Sequence, residues 1–263
     1  MSSFGFGGGA PAAETGPELP EVDTSEVGFL GLDKDYNIQF LPTPWPEDAL
    51  PAPTSSLLTI SNSQGLIVGG GPEGLVLATT KSIREAISTK AESGPKTKSF
   101  QPQAHISLPS RPTHVAFCAA DSALAVAMES QNQLVIYDAT SLGNGNPQPQ
   151  ISINTNGPLR SLAANPSSES DLSSYVALIT ANGDLLLANL KAGSLVNGQS
   201  GLVFRNGVAS VTWSNKGKQM VAGLVDGSCV QLDPQGVVKA EIPRPPALEG
   251  NKHGECSFGT WLV

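Results

Sequence analysis

Apolar residues along this chain come in short bursts separated by turn residues, and the bursts form a paragraph written four times between Leu57 and Leu232. Each paragraph holds an apolar stretch, a turn, a second stretch, a tight turn and a third. The first copy is Leu57-Leu58-Thr59-Ile60, Leu66-Ile67-Val68 and Leu75-Val76-Leu77-Ala78. The second is Val115-Ala116-Phe117, Leu124-Ala125-Val126-Ala127-Met128 and Leu134-Val135-Ile136-Tyr137. The third is Leu159-Arg160-Ser161-Leu162-Ala163, Val176-Ala177-Leu178-Ile179 and Leu185-Leu186-Leu187-Ala188. The fourth is Val208-Ala209-Ser210-Val211-Thr212-Trp213, Met220-Val221-Ala222-Gly223-Leu224 and Cys229-Val230-Gln231-Leu232. Runs this short, bounded by Gly, Asn, Asp and Ser, read as strands. Leu75, Leu134, Leu185 and Cys229 open the third strand of each copy, spacings of 59, 51 and 44 residues, which suit four-stranded blades. The pattern predicts an all-β chain: a β-propeller of four-stranded antiparallel blades, incomplete, with about four blades plus part of a fifth.

Turn chemistry supports the strands independently. Asn182-Gly183 and Asp226-Gly227 fall between the second and third strands of copies three and four, where a two-residue hairpin needs the positive φ that Gly and Asn supply cheaply. Copy one places Gly69-Gly70-Gly71-Pro72-Glu73-Gly74 there. Near-continuous apolar strands suit sheets sandwiched between neighbours. The small residues Ala125, Ala127, Ala188 and Gly223 predict close approach between them.

Outside the repeats, residues 1–26 are rich in Gly, Ala, Pro and Glu and are read as a disordered acidic tail ahead of a propeller over 27–263. Residues 27–32 and 36–41 are expected to form a hairpin about Asp33-Lys34-Asp35 that completes a blade. Pro42, Pro44, Pro46, Pro51 and Pro53 exclude helix and central strand from the next connection, and Trp45 within it is expected to tuck back over the propeller. Residues 81–87 read as a helical turn or two, leading to a polar loop that carries Lys90, Lys96 and Lys98. Ile242-Pro243-Arg244-Pro245-Pro246 reads as a stiff strut. Ser257-Phe258-Gly259-Thr260-Trp261-Leu262-Val263 resembles the opening strand of a fifth blade, which implies a longer ring. Blade one and the partial fifth blade are accordingly expected to expose apolar faces, a patch large enough to favour association or partial unfolding.

Charge changes this picture little. The formal net charge is −8, but Glu14, Glu18, Glu21, Asp23 and Glu26 lie in the tail, and the remainder carries 18 acids against 15 bases. No direct nucleic-acid binding follows from that balance. Cys118, Cys229 and Cys256 lack metal-ligand spacing, two of them inside strands, and are expected to be buried reduced thiols in an intracellular protein. No apolar run approaches the roughly 20 residues that span a bilayer, so no membrane insertion is expected.

Candidate chemistry is sparse. The glycine run at 69–74 lacks the Lys-Ser/Thr of a phosphate cradle and continues as a strand. His105, His114 and His253 are too scattered for a metal site. Asp121, Asp184 and Asp226 recur in turns, where they are expected to cap backbone amides. No catalytic, cofactor-binding or metal-binding residue emerges, no cofactor is implied, and no enzymatic activity is read from the chain.

The phenylalanine-glycine pairs Phe4-Gly5 and Phe6-Gly7 resemble the cohesive repeats of the nuclear pore. Four stretches go further: SLAANP at 161–166, LITANGDLLLANL at 178–190, VTWSNKGKQMVAGL at 211–224 and VKAEIPRPP at 238–246. They resemble the N-terminal propeller of the cytoplasmic-face FG nucleoporin in its filamentous-fungal form. That resemblance implies a propeller of about seven blades, followed by FG repeats and a coiled-coil anchor. It implies docking of the DEAD-box helicase of mRNA export, with other nucleoporins as further partners. The helicase surface is expected largely on later blades, beyond Val263, so no partner-binding residue is assigned. A generic scaffold propeller and a propeller hydrolase are the alternative readings.

Overall fold

Each apolar burst is a strand in the computed structural model, which describes residues 37–88, 97–99, 101–196, 202–204 and 206–242. After β1 (Asn37–Gln39), the first sheet comprises β2 (Leu58–Ser61), β3 (Leu66–Gly71) and β4 (Gly74–Thr79); helix α1 (Thr80–Ser88) and the short β5 (Thr97–Ser99) follow, and β6 (Ala104–Ser107) completes it. The second sheet is β7 (Pro112–Cys118), β8 (Ala123–Met128), β9 (Gln133–Asp138) and, beyond helix α2 (Ala139–Gly143), β10 (Pro149–Asn154). The third opens with β11 (Leu159–Ala164); helix α3 (Ser170–Ser173) leads into β12 (Tyr175–Thr180) and β13 (Leu185–Asn189), whose far edge pairs with β14 (Ser194–Leu195) and β15 (Leu202–Phe204). The fourth is β16 (Val208–Trp213), β17 (Met220–Leu224), β18 (Cys229–Leu232) and β19 (Val238–Ile242). All four sheets are antiparallel.

The outer strands β6, β10, β15 and β19 bury at most one residue each, so burial does not mark them and the repeated apolar pattern shows three strands per copy. They exist because β4, β9, β13 and β18 would otherwise leave a buried edge unpaired.

Stacking follows from the two-residue period of a strand. On β8, Leu124, Val126 and Met128 join the core shared with sheet one, while Ala123, Ala125 and Ala127 join the core shared with sheet three. On β13, Leu186 and Ala188 face sheet two, and Leu185 and Leu187 face sheet four. Three apolar seams therefore hold four blades in chain order. Ala125, Ala127 and Ala188 fall in one seam, as their small size predicts.

Three expectations change. β1 pairs in parallel with β5, Asn37 opposite Thr97, rather than completing a blade, so the polar loop after α1 contains a strand and Lys98 lies in it; the proposed hairpin partner at 27–32, Lys90 and Lys96 lie outside the described residues. Blade one's flank is only partly bare. Cβ positions built at Gly69 and Gly71 would stand 2.6 Å from the Phe40 ring and 3.4 Å from the Leu41 side chain, so those two side chains occupy room the glycines leave open. Val76 and Ala78 on the same face are buried, while Leu58 and Ile60 on β2 remain 62% and 51% exposed. The tail with its FG pairs, Cys256, His253, residues 243–246 and the strand expected at 257–263 lie outside the described residues.

Candidate docking surface

The first strands of successive blades lie side by side and mark the axis of the stack. Those of blades two, three and four each carry a register shift at the second residue: Thr113, Arg160 and Ala209. A bulge turns one carbonyl and one side chain away from the sheet's own ladder, and here both serve the neighbouring blade. Thr113 O accepts the Ser56 amide at 3.0 Å, and Ser56 O accepts Val115 N at 2.8 Å. The Arg160 guanidinium donates to Val208 O and, at 3.5 Å, to Ala209 O. Arg160 thus ties blade three to blade four where no backbone ladder joins them. Nothing in the strand pattern distinguishes it, because a bulge is invisible until the partner strand is in place.

One rim carries the turns between first and second strands, and each turn reaches the next. Asp121 accepts the hydroxyls of Ser61 and Ser63 at 2.9 and 3.1 Å, across blades one and two. It therefore holds side chains of a neighbouring blade, where a backbone cap was expected. Ala119 N donates to Ser173 O at 3.1 Å. The buried Asn165 donates to Gly217 O and accepts Ser167 N, both at 2.9 Å, and a Cβ at Gly217 would collide with its side chain. Outside this chain sit Lys191 on Asp171 and Lys218 on Glu169, all well exposed. Such pairs add little stability, but they make this rim polar and mixed in charge.

The opposite rim carries the hairpin turns. Gly183 and Gly227 adopt φ of +81° and +86° as their turns require. Asp226 caps the amide and hydroxyl of Ser228 at 2.9 and 2.6 Å. Asp184 accepts Asn206 N at 2.8 Å and the Asn156 amide at 3.0 Å, joining the two connectors that flank blade three. Trp45 is half-buried and donates from Nε1 to Gly70 O at 3.3 Å, with the Arg111 guanidinium 5.9 Å above its ring. It tucks back over blade one as expected, and Pro42, Pro44 and Pro46 around it are exposed.

The remaining candidates do not converge. His105 is exposed on β6 and His114 is buried on β7. Among the described residues no group of three His, Cys, Asp or Glu could hold a metal ion, and no helix is long and apolar enough to cross a membrane. Cys118 and Cys229 are buried reduced thiols. Burial pushes the Cys118 thiol up to about 12, so it is an inert core group.

His114 has a measurable consequence. Its Nε2 lies 2.9 Å from Thr54 O, and its buried Nδ1 has no partner among the described residues. Neutral imidazole with the proton on Nε2 satisfies this site; the cation would leave a second N–H unpaired. Desolvation therefore holds its pKa below the ordinary value of 6.5, outweighing the opposing bond to Thr54. A group that favours its neutral form in the fold stabilises fully above the unfolded pKa and loses that contribution as pH falls below about 6.5 toward the folded value. Acidification from neutral should lower the unfolding free energy, and with it the melting point, with a slope from this site of no more than about 1.4 kcal/mol per pH unit. His114→Gln should flatten that part of the profile. An identical acid-side profile in the variant would refute the assignment.

The sequence model described as the NUP159/214 beta propeller matches residues 51–262. The chain is 41% identical over 262 residues to nucleoporin NUP159 of Chaetomium thermophilum, covering 99% of this chain and 17% of that protein. It is 28% identical over 244 residues to the human nuclear pore complex protein Nup214, covering 89% of this chain and 11% of that protein. The chain thus spans less than a fifth of these relatives. Among solved structures, the N-terminal domain of Nup159 matches with a TM-score of 0.55 at 19% identity, covering 78% of this chain and 48% of that one. Nup159 in the S. cerevisiae complex of Dbp5 with Gle1, IP6 and ADP matches with a TM-score of 0.56, with the same identity and coverage. These two structures agree with the blade architecture described above.

Proposed function

The chain belongs to the NUP159/214 β-propeller family, and from that premise we propose that it is a non-enzymatic docking platform of the nuclear pore. We assign it to the cytoplasmic face, in mRNA export, with a DEAD-box helicase as its principal partner and other nucleoporins as further partners of the full-length protein. The observation that carries this reading is the family match over the four stacked blades. The yeast relative solved together with Dbp5 supports the choice of partner.

Mechanism is positional. Blades locked by three apolar seams present rim loops on a rigid frame, the arrangement in which loops carry recognition. Holding a helicase there raises its local concentration beside emerging RNA–protein particles. Where platform and RNA share a helicase surface, binding of one weakens binding of the other by the same factor. Titration of the cognate helicase against the full-length protein should show saturable binding at micromolar concentrations, weakened by competing RNA. Absence of binding at those concentrations would overturn the helicase reading and leave a scaffold for other pore proteins.

A further inference from the structure

We propose that Asn206-Gly207 is a built-in deamidation site, and that its conversion loosens the junction between blades three and four. An asparagine followed by glycine can cyclise: the glycine amide nitrogen attacks the asparagine side-chain carbonyl carbon. The reaction needs that nitrogen free of a hydrogen bond, the side chain unheld, and room for approach.

The described Asn-Gly pairs differ in these respects. Gly145 N is bonded to Leu142 O at 3.0 Å and Gly183 N to Thr180 O at 2.9 Å, which ties up the nucleophile in both. Asn156 is held through its amide by Asp184 at 3.0 Å. Asn206 is exposed, with φ of +55°. Its side-chain amide and Gly207 N make no hydrogen bond among the described residues, and only its backbone amide is engaged, by Asp184. The room is provided by another glycine. A Cβ on Gly183 would stand 3.0 Å from Gly207 N, and glycine at 183 leaves that space empty.

The chemistry balances without a co-reactant other than water. Solvent base removes the Gly207 amide proton, the nitrogen bonds to Asn206 Cγ, and the side-chain nitrogen departs as ammonia to leave a succinimide. Water then adds to either carbonyl and opens the ring to aspartate or isoaspartate. The first product adds a carboxylate beside Asp184. The second inserts an extra methylene into the main chain at a crowded point. Gly183 O accepts Val208 N at 3.0 Å, Gly207 O accepts Val225 N at 2.8 Å, and Arg160 holds Val208 O. Lengthening the backbone there moves all three ties, and the isoaspartyl product is a substrate for the methyltransferases that recognise that linkage.

Peptide mapping of the folded full chain, incubated in mildly alkaline buffer, tests this directly. Asn206 should deamidate several-fold faster than Asn144, Asn156 and Asn182, should accept methyl groups from an isoaspartyl methyltransferase, and should lose its lead in denaturing urea. Asn206→Gly, which keeps the left-handed turn, should abolish the fast phase and delay the decline in melting temperature on ageing. Equal rates at the four sites in the folded chain, or a lead that persists in urea, would overturn the proposal.

Discussion

Gly74→Ala is expected to lower the melting temperature by about 10 °C, through a loss of roughly 3 kcal/mol or more. Two separate costs meet at this residue. Its φ of +139° lies where L side chains rarely go, and an added Cβ would stand 2.1 Å from Ile106 O. That oxygen belongs to β6, which pairs with β4 through Gly74–Ser107 and Leu75–Ile106. Relief of the clash therefore requires giving up part of the outer strand of blade one. Gly145→Ala isolates the first cost: Gly145 also has positive φ, +79°, but none of the described residues lies within 4 Å of its Cβ position. That variant should lose only about 1 kcal/mol. Equal melting points for the two variants, read by circular dichroism, would show that the close approach to β6 is not real.

The repeat made the architecture legible because it rests on burial, and burial is written in side-chain type. Leu124, Val126, Leu186 and Leu187 could be assigned to strands from the sequence, since a two-sided sheet needs apolar residues on both faces. β19 could not. All five of its residues are exposed, and it exists to pair an edge, a need that lives in its neighbour β18. The glycine run at 69–74 was legible only as the connection between two strands, whereas Gly69, Gly70 and Gly71 belong to β3 and Gly74 opens β4. Its second purpose, admitting Phe40 and Leu41 against Gly69 and Gly71, depends on a segment distant in sequence.

The rims were less legible than the blades. Turn positions for Asp184 and Asp226 follow from local chemistry, but the reach of Asp121 to Ser61 and Ser63 crosses a seam. Nothing local marks Asn165, yet it is buried against Gly217, a residue of the next blade. Arg160 sat within an apolar burst with no sign of a role. Links between blades depend on how far each sheet is rotated against the next, and that rotation is set by side-chain volumes summed over a whole seam.

Leu186→Ala and Leu187→Ala should each cost about 2–5 kcal/mol, yet loosen opposite sides of blade three. Both side chains are fully buried, and they are neighbours in the chain. Leu186 belongs to the seam that contains Ala125, Ala127 and Ile136 of blade two; Leu187 belongs to the seam that contains Met220, Ala222 and Val230 of blade four. The small alanines of blade two set the first seam's spacing, and Leu134 and Ile136 beside them lack the flexibility of a methionine, so a truncated Leu186 leaves a cavity that fills poorly. Met220 on the other side is flexible enough to fill part of the space left by Leu187, so that variant should fall nearer the low end of the range. Hydrogen exchange separates the two variants. Leu186→Ala should speed exchange in β8 while β17 stays protected, and Leu187→Ala should do the reverse, because local openings follow the seam that has been weakened. If both substitutions speed the same amides, the blades do not stack as separate seams, and the alternation that assigns every buried residue to one neighbour or the other fails with them.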